Sequence, residues 1–509
     1  MFKEFNRNSK NEGKGHAMDR VQVEVDEIKS VFKKYGVNMD SLWVDIRNSF
    51  NLSLLSKAGR REKRNGTPVA ALFETAVAFP LFFAGTVSGF FASHFAKMVK
   101  GSDCAFYRFC QDCLFNWRKV LYAASKLVSA KERKAGLEPK YPTALIIDDT
   151  TIQKAGRRIE GVSMVHDHVT GRCVPGFKLL ALVWFNGCFT RTLDFCLVAE
   201  KKLRLKNGRQ FAKKRDIKSP GGEREKELRR DKVSLACAML GRAAKRGYVP
   251  DYALVDTWFT CAKLINKIRG LGSGSVHFLG MVKPDKRLYV YNGNRYTLSQ
   301  LRYALMAERK RCKRFNSRYI EVTCELKNVG QVKLFISRFA RNRKWVCLLT
   351  TDLEMNYIKA VETYAIRWNI EVLFKECKQL LKLGKCQAND FDAQVAHATQ
   401  VFVAHAILAY FKHWGEFQTM GQLYAAIESQ YTGLSTTEKI IALLEEVLST
   451  IAAKLGGLDN VTLRDIMNAP EYAAIKQAIQ NSLFFRQNGK PEEMPNKEEV
   501  THDLGAVAA

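Results

Sequence analysis

The stretch Tyr364–Leu381, YAIRWNIEVLFKECKQLL, does most to decide the fold of this chain. At about 100° per residue it forms an amphipathic helix. Its apolar face consists of Ile370, Leu373, Phe374, Cys377, Leu380 and Leu381. A polar group lies beside that face, within roughly 60°, and consists of Tyr364, Arg367, Glu371 and Lys378. This pattern suits a carboxylate that holds a metal while its neighbours hold an anion. An ordinary amphipathic helix with an Arg–Glu pair fits it equally well.

The composition indicates a large, strongly basic protein. The chain has 509 residues, which is too long for one compact core, so two or more domains are expected. It carries 81 Lys and Arg against 51 Asp and Glu, a formal net charge of +30. Such an excess favours polyanionic partners, nucleic acid first and a membrane surface second. An RNA-binding protein would have the same balance, so charge gives only the class of partner.

Cysteine usage and hydropathy favour a reducing, cytoplasmic location. The 13 Cys include one CxxC pair, Cys110 and Cys113, without a second pair at zinc-site spacing, which predicts buried thiols. Residues 1–35 are polar and charged and do not resemble a signal peptide. The apolar stretch Val69–Met98 is interrupted by Glu74 and Pro80, so it predicts buried helices rather than a membrane span.

Patterning divides the chain into successive segments. Residues 1–135 have a helical pattern with basic clusters at Lys57–Arg64 and Lys131–Lys134, which indicates either a DNA-binding domain or solvated helix ends. The other predicted segments are a mixed α/β segment at residues 136–285, a strand-rich segment at 286–345, a return to the α/β pattern at 346–415, helices at 416–486 and a disordered tail at 487–509. Basic stretches at residues 201–232 and 309–318 are candidate contacts to a nucleic-acid backbone.

Carboxylates follow two of the predicted strands. ALIIDDTT ends in Asp148 and Asp149, and YALVDTWFT brings Asp256 to the end of another strand. Ligand groups converge at the ends of adjacent strands, and Glu371 would be a third acid. Oxygen ligands without His or Cys suit Mg²⁺ or Mn²⁺, and two such ions can assist an in-line phosphoryl displacement. The alternative is that these Asp residues only cap turns.

Three motifs in order resemble the DDE transposases of bacterial insertion sequences, in the insertion-sequence-four group. They are IDDTT (Ile147–Thr151), VDTWFT (Val255–Thr260) and Tyr364-x2-Arg367-x3-Glu371-x6-Lys378. The third motif is the hallmark of that group and is matched at every position. The resemblance covers about residues 141–415.

The resemblance implies an α/β fold with an RNase H-like catalytic core. The core would occupy residues 136–285 and 346–415, interrupted by a β-rich insertion at 286–345. Helical regions would flank it, an N-terminal DNA-binding domain at 1–135 and a C-terminal region for dimerisation or DNA contact at 416–486. The implied activity is cleavage of transposon ends and joining of the freed 3′-OH to target DNA, through a hairpin intermediate. An inactive DNA-binding descendant and a stand-alone nuclease are the alternatives.

The resemblance also implies roles for individual residues. Asp149, Asp256 and Glu371 would be catalytic and would hold two Mg²⁺ ions, with Mn²⁺ as a substitute. Asp149 is chosen because it stands directly before a Thr pair. Its neighbour Asp148 is the alternative, since side chains alternate along a strand and only one of the two can face the site.

The remaining implied contacts are with DNA. Tyr364, Arg367 and Lys378 would bind phosphates at the transposon end. Trp258 and Trp345 are candidates to hold a flipped base, although either could be a core aromatic. The expected partners are double-stranded DNA and a second copy of the chain in the synaptic complex, without a membrane. The expected location is the bacterial cytoplasm, in association with the nucleoid.

Overall fold

A computed structural model describes the architecture of the chain. The described residues are 43, 46–61, 65–82, 86–92, 99–136, 138–156, 158–167, 170–200, 211, 213–340, 344–414 and 420. They all belong to one compact unit that ends at Ile427. The predicted tail at 487–509 and, apart from Met420, the predicted helices at 416–486 lie outside the described residues.

Helices come first along the chain, because this part is rich in aromatic residues at helical spacing and has side-chain caps at several helix starts. They are α1 (Leu52–Lys57), α2 (Val69–Phe82), α3 (Val87–Ala92), α4 (Asp103–Cys110) and α5 (Trp117–Lys134). The Asn116 side chain caps α5 by accepting a hydrogen bond from the Lys119 backbone N–H. Phe115 packs edge-on against Phe109 and Trp117, with ring centroids 4.8 and 4.6 Å apart. Within the described ranges, no helix is long and apolar enough to cross a membrane.

From residue 144 onward the chain is built on a mixed sheet. Its first strands are β1 (Ala144–Gln153), β2 (Ser163–Asp167), β3 (Arg172–Phe185), β4 (Thr190–Val198), β5 (Tyr252–Val255) and β6 (His277–Val282). The spatial order is β4-β3-β1-β5-β6, and β2 pairs with the first residues of β3. Strands β3 and β4 form antiparallel pairs, whereas β1, β5 and β6 run parallel. Strand β5 ends at Val255, beside Ile147, whereas β1 continues to Gln153, so the predicted end of β1 at its two aspartates is wrong.

Helices cover both faces of this sheet. Between β4 and β6 the chain forms α6 (Pro220–Leu228), α7 (Lys232–Ala244) and α8 (Ala262–Arg269). Leu145 and Ile147 of β1 point to the face where α7 and α8 pack through Leu235 and Ile265. The opposite face receives later helices, of which α11 (Trp368–Gln379) contacts both β1 and β4. Strands buried on both sides read as continuous apolar runs, as ALII does.

The segment predicted as a β-rich insertion extends the same sheet. It contains β7 (Leu288–Tyr291), β8 (Asn294–Thr297), α9 (Leu298–Ala304), β9 (Lys310–Cys312), β10 (Ser317–Leu326) and β11 (Gly330–Phe339), and β12 (Val346–Thr350) follows it. The sheet continues from β6 in the order β12-β11-β10-β7-β8 and reaches 12 strands. This large mixed sheet with helices confirms the predicted α/β class.

The helix predicted over Tyr364–Leu381 is interrupted, which corrects the prediction of one continuous helix. Helix α10 (Tyr357–Ala365) ends before a tight turn at Ile366 and Arg367, and α11 begins at Trp368. The turn contracts to i→i−3 hydrogen bonds, including Arg367 N–H to Tyr364 O at 3.0 Å. The predicted apolar face is buried apart from Leu380, which is partly exposed. A final helix, α12 (Phe391–Trp414), packs against α5 and α2.

Candidate active site

Two of the predicted acids meet where β5 ends beside the middle of β1. Ile147 of β1 lies opposite Val255 of β5 in the parallel register. The residue that follows each of these two is an aspartate, Asp148 on β1 and Asp256 just beyond β5. Because parallel neighbours in register point to the same face, these two carboxylates are adjacent.

Strand alternation separates Asp148 from Asp149. The Asp148 Oδ2 accepts a hydrogen bond from Arg367 Nη1 at 2.9 Å, on the face covered by α11. The Asp149 Oδ2 lies on the α7 face, 3.0 Å from Lys232 Nζ and 3.8 Å from Lys178 Nζ. The two neighbouring carboxylates thus belong to different surroundings, one shared with the Glu371 helix and one closed by two ammonium groups.

Arg367 joins the β1 carboxylate to the helix carboxylate. Its Nη2 donates to Glu371 Oε1 at 2.6 Å while its Nη1 holds Asp148. The Glu371 side chain is 34% exposed and can be approached from solvent. The Arg–Glu pair at i, i+4 is therefore present as predicted, and the same guanidinium also spans to the strand.

Burial disfavours the charged forms of the acids at this site. Burial raises the pKa of Asp148 to about 7, against the opposing effect of Arg367, and the charge of Asp256 adds to the rise. Burial also raises the pKa of Asp256, although two backbone N–H groups and Arg367 act in the other direction. Arg367 itself is buried, which lowers its pKa, but Tyr364 and the carboxylates outweigh burial and raise it. A further cation beside these acids would offset the cost of burying their charge.

Tyr364 and Lys378 flank this cluster in different ways. Tyr364 is only 3% exposed, and the guanidinium carbon of Arg367 lies 5.8 Å from its ring centroid. Its contact is thus with Arg367, and the predicted phosphate contact of Tyr364 stays a prediction. Lys378 Nζ donates to Thr150 Oγ1 at 2.6 Å, on the same face of β1 as Asp148. Burial lowers the pKa of Lys378.

Asp256 both caps the turn after β5 and keeps one carboxylate oxygen available to a ligand. Its Oδ1 accepts the backbone N–H groups of Trp258 at 3.0 Å and Phe259 at 3.2 Å, so Asp256 does cap the turn. Its Oδ2 forms no hydrogen bond within the described part of the chain, and that oxygen remains available to a ligand. Capping and ligand binding are compatible here.

The two candidate tryptophans differ in accessibility. Trp258 is 50% exposed beside Asp256, with Lys232 Nζ 4.8 Å from its ring centroid. Trp345 packs against the hydrophobic core of the sheet, with the guanidinium carbon of Arg302 5.6 Å from its ring centroid. Only Trp258 presents a large free ring surface next to the acids.

The carboxylate donors suit a divalent cation, but in this structure they do not lie close enough together to enclose one. The nearby donors are carboxylate oxygens, which suit Mg²⁺ or Mn²⁺. A guanidinium already bridges two of the acids, which demonstrates that a cation fits between them. Among the described residues, no three acidic, His or Cys side chains lie close enough together to enclose a metal ion. Binding a metal would therefore require Arg367 to move.

Sequence reasoning missed two cations beside Asp149. Lys178 lies in the apolar strand FKLLALVWFN, is 2% exposed, and donates to Thr151 Oγ1 at 3.0 Å. A lysine inside such a strand is an available signal, because a charged group in a buried strand needs a partner. Lys232, at the start of α7, carried no comparable signal.

The basic stretch at residues 201–232 is only partly a surface feature. Residues 201–210 and 212 lie outside the described residues. Arg215 has a side chain that is 0% exposed and pairs with Glu160 at 2.8 Å and Asp392 at 2.9 Å. Lys213 pairs with Asp392 at 2.9 Å. These two cations tie the segment to the start of α12. The expected DNA contact is wrong for the fully buried Arg215, whereas for Lys213, which is 32% exposed, it stays a prediction.

Comparison with protein families agrees with this geometry. Residues 96–315 match the family model of the DDE superfamily endonucleases, and residues 229–407 match that of the transposase DDE domain. The first range includes the β1 acids and Asp256, and the second includes Asp256 and Glu371. No individual protein of described function matches the chain significantly.

The two matches support a DDE transposase, a nuclease-type enzyme of α/β fold whose substrate is DNA. Nucleases of the DDE superfamily generally use divalent metal ions, which agrees with the carboxylate donors where β5 ends beside β1. Within that class, the particular group and the details of the reaction are matters for proposal.

Proposed function

We propose that this protein is an active transposase of the insertion-sequence-four group, which cleaves the ends of a mobile element and joins the freed 3′-OH to target DNA. The observation that carries the proposal is the Arg367 cluster, where one guanidinium bonds Asp148 and Glu371 next to Asp256. The acids stand on the first strand, after its parallel neighbour β5 and on the late helix α11. The strand order β4-β3-β1-β5-β6 supports an RNase H-like core.

The proposed metal ligands are Asp256, Glu371 and one carboxylate of β1. Strand alternation supports Asp148, because it faces Arg367 and α11 and is in register with Asp256. The motif match favours Asp149, which remains the alternative. Two Mg²⁺ ions, or Mn²⁺, would supply Lewis acidity for the phosphoryl displacement when bound.

The cations around the acids are proposed to hold the DNA. Arg367 can transfer its hydrogen bonds from carboxylates to a phosphate, because a guanidinium binds both bidentately. Lys378 lies about three helical turns after Arg367. Its Nζ reaches Thr150, two residues beyond Asp148 on β1, and can contact a neighbouring phosphate. These residues fix the scissile phosphate, and positioning together with charge neutralisation supplies most of the catalysis of phosphoryl transfer.

A hairpin intermediate is proposed as the route of cleavage. Hairpin formation at a duplex end requires sharp distortion of the terminal bases, and an aromatic ring can hold an unstacked base. Trp258 supports this route because half of its surface is free and it stands two residues from Asp256. A homodimer in the synaptic complex is also proposed, on the resemblance alone.

The test is an assay of cleavage and joining with the full chain. The substrate is a plasmid that carries the gene with its native flanking DNA. We expect cuts at both ends of the element in Mg²⁺ or Mn²⁺, hairpin-capped ends among the products, and integration of a supplied 3′-OH end. Chelation of the metal should abolish all three. Cleavage without joining would indicate a stand-alone nuclease, and binding without cleavage an inactive descendant.

Arg367→Gln is expected to separate metal binding from DNA binding. Removing the cation that bridges Asp148 and Glu371 should tighten Mn²⁺ binding to the DNA-free protein about tenfold, which corresponds to about 1.4 kcal/mol. Binding to end DNA should weaken, because a phosphate contact is lost. Electron paramagnetic resonance of free Mn²⁺ measures the first effect and a gel-shift titration the second.

Lys378→Gln is the matched control for that experiment. It removes a cation from the same helix, but this cation bonds the neutral Thr150 hydroxyl rather than a carboxylate. It should weaken DNA binding without tightening Mn²⁺ binding. Equal Mn²⁺ affinities for wild type and Arg367→Gln would contradict a competition between the guanidinium and the metal.

A further inference from the structure

A deep basic cleft lies on the α7 side of the molecule. It has a volume of about 650 Å³ and is formed by α5, α6, α7 and the residues that flank them. Eight cations line it. Two of them, Arg118 and Arg242, pair with carboxylates, and the other six are Arg60, Lys119, Lys218, Lys226, Arg230 and Arg246. We call this the basic cleft. Neither the metal ligands nor the Arg367 cluster line it.

The charge of the basic cleft is largely uncompensated. None of the six cations forms an ion pair within the part of the chain that the structure describes. Lys218, Lys226 and Arg230 are exposed. Glu223 and Glu227 also line the cleft, but both are already committed to Arg118 of its wall, at 3.9 and 2.5 Å. A concave surface with this excess of positive charge concentrates polyanions.

A buried ionic network lies behind the wall of the basic cleft. Arg118, Arg224 and Arg242 surround two buried carboxylates, those of Asp194 and Glu227, and Glu223 pairs with Arg118 at 3.9 Å. Burial, together with the neighbouring Arg118, lowers the pKa of Arg224 to about 10. The Nη2 atom of Arg242 is buried and has no hydrogen-bond partner in the described structure. Three guanidiniums thus face three carboxylates, and the excess positive charge of the basic cleft comes from its six cations that form no ion pair among the described residues.

The position of the basic cleft relates it to the acids. Helix α7 begins at Lys232, which contacts Asp149 and Trp258, whereas Arg242 of the same helix lines the cleft. Ten residues separate the two, about 15 Å along the helix axis at 1.5 Å per residue. One turn of B-DNA is about 35 Å, so this separation is close to half a turn. One straight duplex can thus reach both places.

We propose that the basic cleft binds the phosphate backbone of the element's DNA about half a helical turn from the scissile bond. This inference rests on the proposed function and extends it to a second contact region. A small anion would require cations that converge on one point, whereas these come from α5, α6, α7 and the turn after α1. A spread of this kind suits successive phosphates along a strand. Phosphate contacts position the duplex and are insensitive to its sequence.

The test is the salt dependence of DNA binding by a Lys226→Gln/Arg230→Gln variant. Both side chains are exposed and unpaired, so neutral replacements should not disturb the fold. The probe is a random-sequence duplex several turns long. The slope of log K against log salt should become shallower by about two, close to one for each lost phosphate contact. Affinities for random and element-end duplexes should fall by the same factor.

Lys245→Gln is the matched control. Lys245 is exposed just after α7 but does not line the basic cleft, so its replacement should leave the slope unchanged. An unchanged slope in the double variant, or an equal loss in Lys245→Gln, would overturn the proposal.

This experiment is independent of the chemistry. If wild type cleaves element ends in Mg²⁺ but the slope does not change, the assignment of the basic cleft fails while the proposed function stands. If the slope changes as expected and no condition gives cleavage, the cleft assignment stands and the proposed function fails. Stabilisation of wild type by inorganic phosphate, without any change of slope in the variant, would indicate a small-anion site and would also overturn the proposal.

Discussion

Asp148→Asn and Glu371→Gln are each expected to slow Mg²⁺-dependent cleavage of element ends on the order of 10³-fold, the loss typical of a preorganised charge at a transition state. Asp149→Asn is expected to slow it by less than about tenfold. The reason is geometric. Asp148 shares the α11 face with Arg367 and Glu371, whereas Asp149 points to Lys232 and Lys178 on the other face. Single-turnover cleavage of a labelled end duplex measures all three rates.

The amide variants keep the shape of the side chain, but Asp149→Asn needs a control for folding. It removes the negative charge that pairs with Lys232 at 3.0 Å and with the buried Lys178 at 3.8 Å. Leaving a buried group without its partner destabilises a protein by about 1–3 kcal/mol, and by more when the group is charged. Thermal unfolding and DNA affinity of each variant should therefore be measured beside its rate. If both variants fold and Asp149→Asn loses more cleavage rate than Asp148→Asn, the first metal ligand is Asp149 and not Asp148.

The choice between these two residues exceeds what the sequence can supply. The face to which each residue of a strand points can be predicted from the sequence when one face is apolar and the other is polar. Here the residues before the acids, Ala144–Ile147, are all buried because helices cover both faces of the sheet. The apolar run therefore predicts a central strand, but neither its end at Gln153 nor the face to which either aspartate points.

The sequence pattern predicted helix α11 better than strand β1, because one face of the helix meets solvent. The apolar face of α11 and the Arg367–Glu371 pair follow directly from helical spacing. The break at Ile366 and Arg367 does not, since both residues keep right-handed helical backbone angles and neither is Gly or Pro. The link from Arg367 to Asp148 joins residues 219 positions apart and depends on how α11 packs on β1.

Long-range ion pairs could likewise not be predicted from the sequence. The run FTRTLDFCLVA reads as a strand, and its Asp194 is fully buried. Its partner Arg118 lies 76 positions earlier, on α5. No spacing rule connects them, so Asp194 could be recognised as unusual only by being an acid in an apolar strand.

Asp194→Asn is expected to lower the free energy of unfolding by about 3–5 kcal/mol, because it removes one partner of a buried ionic group. Asp194 accepts Arg118 Nε at 2.9 Å and Arg242 Nε at 2.7 Å. Burial raises the pKa of Asp194, but these guanidiniums and Arg224 outweigh it and hold the pKa at about 2, below the ordinary 3.8. The stabilisation is therefore complete above pH 3.8 and is lost as the pH falls through about 2. Urea unfolding near neutral pH measures the difference.

Asp285→Asn is the matched control, since the Asp285 side chain is 39% exposed and pairs with Arg287 at 2.6 Å. Exposed pairs contribute about 0–1 kcal/mol, so this variant should unfold almost as wild type does. Asp194→Asn should also lose the acid dependence that wild type has between pH 3.8 and about 2. Equal stabilities for the two variants would show that Asp194 does not hold α5 and α7 together. The basic cleft, whose wall contains Arg118 and Arg242, would then need another source of rigidity.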